Sequence, residues 1–284
     1  MCSTAGMVIP LTAWYSTATS FAKASALRPC VTFPTVTDWR RNLPSIDSLR
    51  GREVLLAGGT GGLGSALAAA LIEGGARVVL SYRLQRDRAL RWESSATILQ
   101  ADLSVGADRW RLLDSVPELY GLVIFAGDPA RIADAAHIDS VMLRSHQVNY
   151  LGPVLLAREV VERMRAAGRG GAVVLISTMQ ANAVFPGSTA YGAQKAALQH
   201  AARILARECR GPSNIRVNVV SPGVMDAGMA KASIESGKYQ RFLDEGVITR
   251  YGRAEDIARA VRFFLEPDNY ITGQVLCVDG GLTL

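Results

Sequence analysis

The sequence predicts an α/β fold, a doubly wound parallel sheet of about seven strands with helices on both faces. Short apolar runs alternate along the chain with longer helical patterns, as in repeated strand–helix–strand units. A glycine-rich turn at residues 58–64 joins the first apolar run to the first helical pattern. Polar residues or glycines follow the later runs, at positions that a parallel sheet gathers along one edge.

Composition indicates a soluble globular protein, because 49% of the 284 residues are hydrophobic and 20% are charged. The net charge of +6 is spread along the chain without a basic run, so nucleic acid is not an expected partner. No uninterrupted apolar stretch reaches the ~18–20 residues of a membrane span. Four isolated cysteines indicate reduced thiols, and three histidines without ligand spacing argue against a metal site.

Residues 1–49 differ from the rest and are predicted to be an extension that precedes a single catalytic domain at residues 50–284. They are rich in Ser, Thr and Ala, and their first acidic residue is Asp38. This composition fits an organelle transit peptide, a flexible extension or an upstream start codon. We favour the last two interpretations and therefore expect a cytoplasmic protein.

The first unit consists of a strand at residues 53–57, a helix at 65–73 and a second strand at 76–82. Gly74 and Gly75 end the helix. In a Rossmann-type unit, such a glycine turn brings backbone N–H groups and a helix N-terminus against a pyrophosphate. The position of the turn between strand and helix therefore indicates a dinucleotide site.

The end of the second strand indicates which cofactor is bound. A free ribose 2′-hydroxyl is usually held there by a carboxylate, whereas this chain has Tyr82 followed by Arg83. An arginine suits a 2′-phosphate by charge and by geometry, so NADP(H) is expected in preference to NAD(H). The alternative is a solvated loop arginine.

The remaining elements follow the same alternation. Strands are predicted at residues 97–101, 121–125, 172–176, 215–220 and 274–278, and helices at 141–165, 193–205 and 254–265. Asp102, Gly127, Thr178 and Gly223 come directly after strands and are expected to converge at one edge of the sheet.

Tyr191 and Lys195 are four residues apart at the start of a predicted helix, where such residues share a face. The ammonium is therefore expected to lower the pKa of the phenol toward the range of general acid–base catalysis. The alternative is a tyrosine and a lysine on a solvated helix face.

From about Arg52 onward, the chain resembles the short-chain dehydrogenase/reductase family, and within it the 3-oxoacyl-acyl-carrier-protein reductases. The matching motifs are the glycine turn, Asp102, Ala126-Gly127, Asn149, the Tyr191/Lys195 pair, Pro222-Gly223 and the tail from Tyr270 to Gly281. The resemblance implies hydride transfer between a nicotinamide and a carbonyl or alcohol carbon, in a homotetramer or homodimer. A small carbonyl or alcohol compound would be the substrate, with an acyl thioester among the options.

The resemblance also assigns roles. The implied catalytic residues are Asn149, Thr178, Tyr191 and Lys195. The implied cofactor-binding residues are Gly58, Thr60, Gly61, Gly62, Leu63, Gly64, Arg83, Asp102, Leu103, Ala126, Gly127, Tyr191, Lys195, Pro222, Gly223 and Val224. Tyr191 would donate a proton, Lys195 would hold the ribose, and Asn149 would orient a water.

The chain departs from the family pattern at three places. Thr178 stands where the family has its catalytic serine, and its neighbour Ser177 is the alternative hydroxyl. Ile124-Phe125 replaces a pair of asparagines, and Ala227 replaces a threonine that often touches the nicotinamide amide. The substrate segment, residues 225–251, includes Met225, Met229, Ile234, Tyr239 and Phe242, which either line an apolar pocket or pack as a helix face.

Two other functions fit the same motifs. One is an alcohol, steroid or sugar dehydrogenase of the same family. The other is a sensor that binds nucleotide without catalysis, since a fold alone does not establish a function.

Overall fold

The fold is a seven-stranded parallel sheet in a computed structural model that describes residues 48–132 and 134–284. The strands are β1 (Glu53–Ala57), β2 (Arg77–Tyr82), β3 (Thr97–Gln100), β4 (Leu119–Ile124), β5 (Gly171–Ile176), β6 (Ile215–Pro222) and β7 (Val275–Val278). Their order in the sheet is β3-β2-β1-β4-β5-β6-β7, and every neighbouring pair is parallel. The predicted doubly wound α/β fold is confirmed.

Helices cover both faces of the sheet. They are α1 (Gly62–Glu73), α2 (Arg86–Leu90), α3 (Gly106–Asp114), α4 (Ile138–His146), α5 (Gly152–Ala166), α6 (Gly192–Glu208), α7 (Lys231–Glu235), α8 (Gln240–Asp244) and α9 (Ala254–Leu265). Helices α3, α5 and α6 pack on one face, and α1 and α9 pack on the other. A hydrophobic core lies on each face of the sheet, and successive side chains of β1 pack into alternate cores. Leu55 packs in the core that includes α3, α5 and α6, whereas Val54 and Leu56 pack in the core that includes α1 and α9.

Two helices differ from the prediction. The pattern at residues 141–165 is not one continuous helix, because a π-helical turn at Gln147–Leu151 separates α4 from α5. Helix α1 begins at Gly62 and not at residue 65, because the last glycines of the turn already have helical geometry. Hydrophobic periodicity does not depend on whether a glycine is helical or a turn is π-helical. The sequence pattern therefore could not show the earlier start of α1 or the break between α4 and α5.

The glycine turn is held tightly against the elements around it. A Cβ on Gly64 would lie 2.5 Å from the carbonyl oxygen of Gly59, and a Cβ on Gly58 would lie 2.8 Å from the nitrogen of Ala126. Gly58 also has a φ of +74°, which residues other than glycine rarely adopt. The turn therefore has its shape because these positions lack side chains.

The predicted extension falls almost entirely outside the described residues, so the division at residue 49 stays a prediction. Leu49, which is described, is buried in the core that packs against α1 and α9. Within the described ranges, no helix has both the length and the apolar character needed to cross a bilayer.

Candidate active site

A cleft of about 700 Å³ opens at the carboxyl ends of the strands. Apart from Asn149, every residue that the sequence analysis assigned to catalysis or to the cofactor lines this cleft. The convergence follows from the topology, since parallel strands end at the same edge and their loops meet above it. The sequence-predicted residues, scattered over residues 58–224, thus form one continuous surface.

The floor at one end of the cleft is the glycine turn. The backbone N–H of Gly58 donates to Ser81 Oγ over 3.0 Å, which ties the turn to strand β2. Helix α1 begins within the turn, and no side chain caps its first N–H groups. Free N–H groups at a helix N-terminus, next to glycines that allow close approach, fit the pyrophosphate of a dinucleotide.

Arg83 and Asp102 lie side by side at the edge of the cleft. Arg83 Nη1 is 3.9 Å from Asp102 Oδ2, and both side chains are about one-third exposed. The Asp102 carboxylate also accepts hydrogen bonds from the backbone N–H and the hydroxyl of Ser104. The guanidinium therefore faces the cleft beside a carboxylate that is already fixed by its own loop.

A second cavity of about 490 Å³ adjoins the glycine turn on its other side. It shares Thr60, Gly61 and Gly62 with the main cleft, and it adds Arg88, Arg91 and Trp92. The two arginines of this cavity and Arg83 of the main cleft thus lie around the turn, where positive charge favours an anionic group.

Tyr191 and Thr178 lie together in the middle of the cleft. Tyr191 is the residue that precedes helix α6, and its carbonyl accepts the backbone N–H of Lys195 over 3.1 Å. Burial raises the pKa of the Tyr191 phenol to about 12, although its hydrogen bond with Thr178 acts in the opposite direction. The phenol is therefore a protonated group at neutral pH, available as a donor.

The neighbouring Ser177 hydroxyl is directed elsewhere. Ser177 Oγ donates to the carbonyl oxygen of Lys195 over 3.3 Å and accepts from Gln199 Nε2 over 3.0 Å. Both partners belong to helix α6, and strand geometry sends successive side chains in opposite directions. Of the two candidate hydroxyls, Thr178 is therefore the one beside Tyr191.

Lys195 is buried, and its Nζ donates to the carbonyl oxygen of Ile176 over 2.9 Å. Burial lowers the pKa of Lys195 to about 8, so the ammonium keeps its proton at neutral pH. The expected lowering of the Tyr191 pKa is not found, because burial of the phenol is the largest influence on it and raises the value. The Lys195 charge is instead directed to the end of strand β5.

Asn149 lies behind the cleft wall, fully buried in the π-helical turn. Its Oδ1 accepts the backbone N–H of Asp128 over 2.9 Å, and its Nδ2 donates to the carbonyl oxygen of Asp128 and to Ser145 Oγ, each over 2.9 Å. Ser145 in turn donates to the carbonyl oxygen of Ala190, next to Tyr191. Asn149 thus holds the loop after β4 against the start of helix α6.

Gly127 supports the assignment of this loop to a cofactor site. A Cβ there would lie 3.3 Å from Asn149 Oδ1 and 3.8 Å from Lys195 Nζ. The missing side chain leaves room beside the ammonium for part of a ligand. Phe125, which replaces one of the family's asparagines, packs against the core on the α1 side instead of supporting the loop by hydrogen bonds.

Some apolar residues of the substrate segment, residues 225–251, line the cleft, and others pack in a small core. Met225, Met229 and Tyr239 line the cleft, whereas Ile234 and Phe242 only pack around the small core of Met179, Val224 and Tyr239. Ala227 lies in the cleft lining and offers no side-chain hydrogen bond.

Three residues that act through others are not marked by any sequence motif. Asp128, Ser145 and Gln199 hold Asn149, Ala190 and Ser177 by hydrogen bonds between segments that are far apart in the chain. Only the tertiary structure brings these partners together, so no spacing pattern could have found them. Among the described residues, no three His, Cys, Asp or Glu side chains are grouped to hold a metal ion.

Comparison with known proteins places this geometry among oxidoreductases. The family model described as "Enoyl-(Acyl carrier protein) reductase" matches residues 57–283. The chain is 30% identical to the "NADPH-dependent aldehyde reductase 2, chloroplastic" of Arabidopsis thaliana over 261 residues, covering 83% of this chain and 95% of that protein.

Two solved structures are similar as well. A short-chain type dehydrogenase/reductase from Mycobacterium ulcerans superposes with a TM-score of 0.76 at 28% identity, over 83% of this chain and 90% of that one. A 7α-hydroxysteroid dehydrogenase in complex with NADH and 7-oxo glycochenodeoxycholic acid gives 0.75 at 27% identity, over 84% and 97%.

The hydroxyl groups in the cleft give a direct test of the site. Tyr191→Phe removes the proton donor and keeps the ring, so turnover should fall by about 10²-fold or more. Thr178→Val deletes the neighbouring donor and should lower turnover by about 10²-fold. Ser177→Ala is the matched control and should be mild, since that hydroxyl bonds to helix α6. Steady-state kinetics with a ketone that the protein reduces measures all three, and a damaging Ser177→Ala with a tolerated Thr178→Val would contradict the assignment.

Proposed function

Because the chain belongs to the short-chain dehydrogenase/reductase family and is an oxidoreductase of that kind, we propose that it uses NADP(H) to interconvert a carbonyl compound and a secondary alcohol. 3-Oxoacyl compounds are the first substrate class to test. The observation that carries the proposal is the meeting of Tyr191, Thr178 and Lys195 in a cleft whose other end is the glycine turn.

The cofactor and two side chains each have a separate role in the reduction. When bound, the cofactor supplies the hydride to the carbonyl carbon. Thr178 donates a hydrogen bond to the carbonyl oxygen and stabilises the negative charge that develops there. Tyr191 gives its phenolic proton to that oxygen, so one hydride and one proton convert the ketone to the alcohol.

Lys195 and Asn149 act from behind the reacting atoms. The Lys195 ammonium holds the ribose and returns a proton toward Tyr191; the nearness of Nζ to Gly127, where a Cβ would lie 3.8 Å away, supports this role. Asn149 keeps the Asp128 loop and the π-helical turn in place, and so keeps the space beside Gly127 open.

The preference for NADP(H) over NAD(H) rests on Arg83 and on the two arginines of the neighbouring cavity. A guanidinium at the end of β2 matches a 2′-phosphate, whereas the carboxylate that would bind a free 2′-hydroxyl is missing at that strand end. The NADPH named in the Arabidopsis relative agrees with this proposal.

Cofactor binding tests this preference. NADPH should bind more tightly than NADH, and Arg83→Ala should weaken NADPH binding by about 1.5–3 kcal/mol, the range for hydrogen bonds to charged groups, while leaving NADH unchanged. Arg86→Ala is the matched control, because this substitution removes the same charge nearby and Arg86 lines neither cavity. Dissociation constants measured by calorimetry decide the matter, and equal affinities of the parent protein for both cofactors would remove the proposal.

The pH dependence of reduction should follow Lys195 and not Tyr191. Burial lowers the pKa of Lys195 to about 8, so its charge is present below that pH and lost above it. The phenol, with a pKa raised to about 12, stays protonated over the same range. The kcat/KM for ketone reduction should therefore decline above pH 8. Lys195→Arg keeps its charge and should move this decline upward; an unmoved decline would show that another group titrates.

We also propose that the enzyme is a cytoplasmic homotetramer or homodimer. Large apolar side chains are exposed on α4 and α6, among them Leu143 and Ile204, and Leu284 at the chain end is exposed as well. Such positions favour close symmetric contacts. Light scattering that gives the mass of a monomer would contradict the assembly, and import of the full chain into an organelle would contradict the location.

A further inference from the structure

The substrate end of the cleft carries two positive charges that the proposed chemistry does not use. Arg131 and Lys238 both line the cleft, and both side chains are exposed to it or to solvent. Arg131 lies in the loop after β4, and Lys238 lies between helices α7 and α8. They therefore approach the cleft from two separate segments of the chain.

Tyr239 places these charges near the reacting end of the cleft. Lys238 Nζ lies 5.6 Å from the centre of the Tyr239 ring. Tyr239 and Arg131 line the same cleft, and burial raises the pKa of Tyr239 while the positive charge of Arg131 acts in the opposite direction. Arg131, Lys238 and Tyr191 thus line one cleft, together with Tyr239.

Neither charge is neutralised within the described part of the chain. Arg131 Nη2 donates only to the carbonyl oxygen of Met229, over 3.2 Å, and the Lys238 contact is with an aromatic ring. By contrast, Arg144 is paired with Asp128 at 2.9 Å, and Arg83 lies 3.9 Å from Asp102. Among the described lining residues, Asp102 is the single carboxylate, and it lies at the cofactor end beside Arg83.

We propose that the substrate is a carbonyl compound with an anionic group, a carboxylate or a phosphate, a few bonds from the carbonyl carbon, bound by Arg131 with help from Lys238. This inference rests on the proposed function, since it assumes that the carbonyl lies at Tyr191. A guanidinium fork matches both anions, and a positive potential in a cleft concentrates anions near it. The apolar side chains of Met225 and Met229 line the same region and would contact the carbon chain between the two groups.

Matched pairs of ketones test the inference. Levulinate is compared with ethyl levulinate, acetoacetate with ethyl acetoacetate, and dihydroxyacetone phosphate with dihydroxyacetone, each with NADPH at low and high salt. We expect the anion of at least one pair to have a KM lower by about 10- to 100-fold, the scale of hydrogen bonds to charged groups, and this difference to shrink at high salt. A phosphate pair that discriminates more than the carboxylate pairs would identify phosphate as the anion.

Variants connect that preference to the two side chains. Arg131→Gln should bring the KM ratio of the pair close to one with little change in kcat, and Arg131→Lys should restore part of it, since it keeps the charge without the fork. Lys238→Gln should have a smaller effect in the same direction. Arg241→Gln is the control, because Arg241 lies over the Phe242 ring in the same segment and does not line the cleft; it should leave the ratio unchanged. Melting temperatures confirm that each variant is folded.

The outcomes separate this inference from the proposed function. If the esters and dihydroxyacetone are reduced but no pair discriminates by charge, the inference is overturned and the function stands. If no ketone is reduced, the function fails, and calorimetric binding of levulinate and ethyl levulinate to the protein with NADP⁺ still decides the inference. Equal binding of the two, or a preference that Arg131→Gln does not change, would overturn it.

Discussion

Helix α6 is joined to the end of strand β5 by hydrogen bonds that fix the reacting groups relative to each other. Lys195 Nζ donates to the carbonyl oxygen of Ile176, Ser177 Oγ donates to the carbonyl oxygen of Lys195, and Gln199 Nε2 donates to Ser177 Oγ. All of these groups are buried, so each bond replaces contacts that water would otherwise make. These bonds hold the segments that carry Thr178 and Tyr191, whose side chains are hydrogen-bonded to each other.

The other half of the cleft is shaped by close backbone approach and not by side-chain bonds. Gly58 and Gly64 hold the turn against Ala126 and Gly59, and Gly127 leaves space beside Lys195 and Asn149. The half around the glycine turn is thus shaped mainly by backbone, and the half around Tyr191 is a set of polar groups tied to one another by hydrogen bonds. The first suits a large ligand held by its phosphates, and the second suits chemistry that needs atoms at fixed separations.

Much of this could be predicted from the sequence, because strands β1 to β7 and helix α9 follow from hydrophobic periodicity and the motifs follow them at fixed places. Motif spacing also placed Thr178 at the position of the family's serine, and in the structure Thr178 is the hydroxyl beside Tyr191. What the sequence could not give depends on three-dimensional surroundings. The π-helical turn at Asn149, the raised pKa of Tyr191 and the roles of Ser145 and Gln199 arise from burial and from partners distant in the chain. Arg131 and Lys238 are ordinary surface residues until the fold places them at the cleft.

The proposed roles of Tyr191 and Thr178 depend on hydride transfer in the cleft, as distinct from nucleotide binding alone. Deuterium transfer tests it most directly, with NADPH deuterated on one or the other face of its hydride-donating carbon and incubated with a panel of ketones. We expect one deuterated form to place a single deuterium atom on the carbinol carbon of the product alcohol, and the other form to place none. NADPH that binds without passing deuterium to any ketone would contradict the account and would favour a nucleotide-binding sensor.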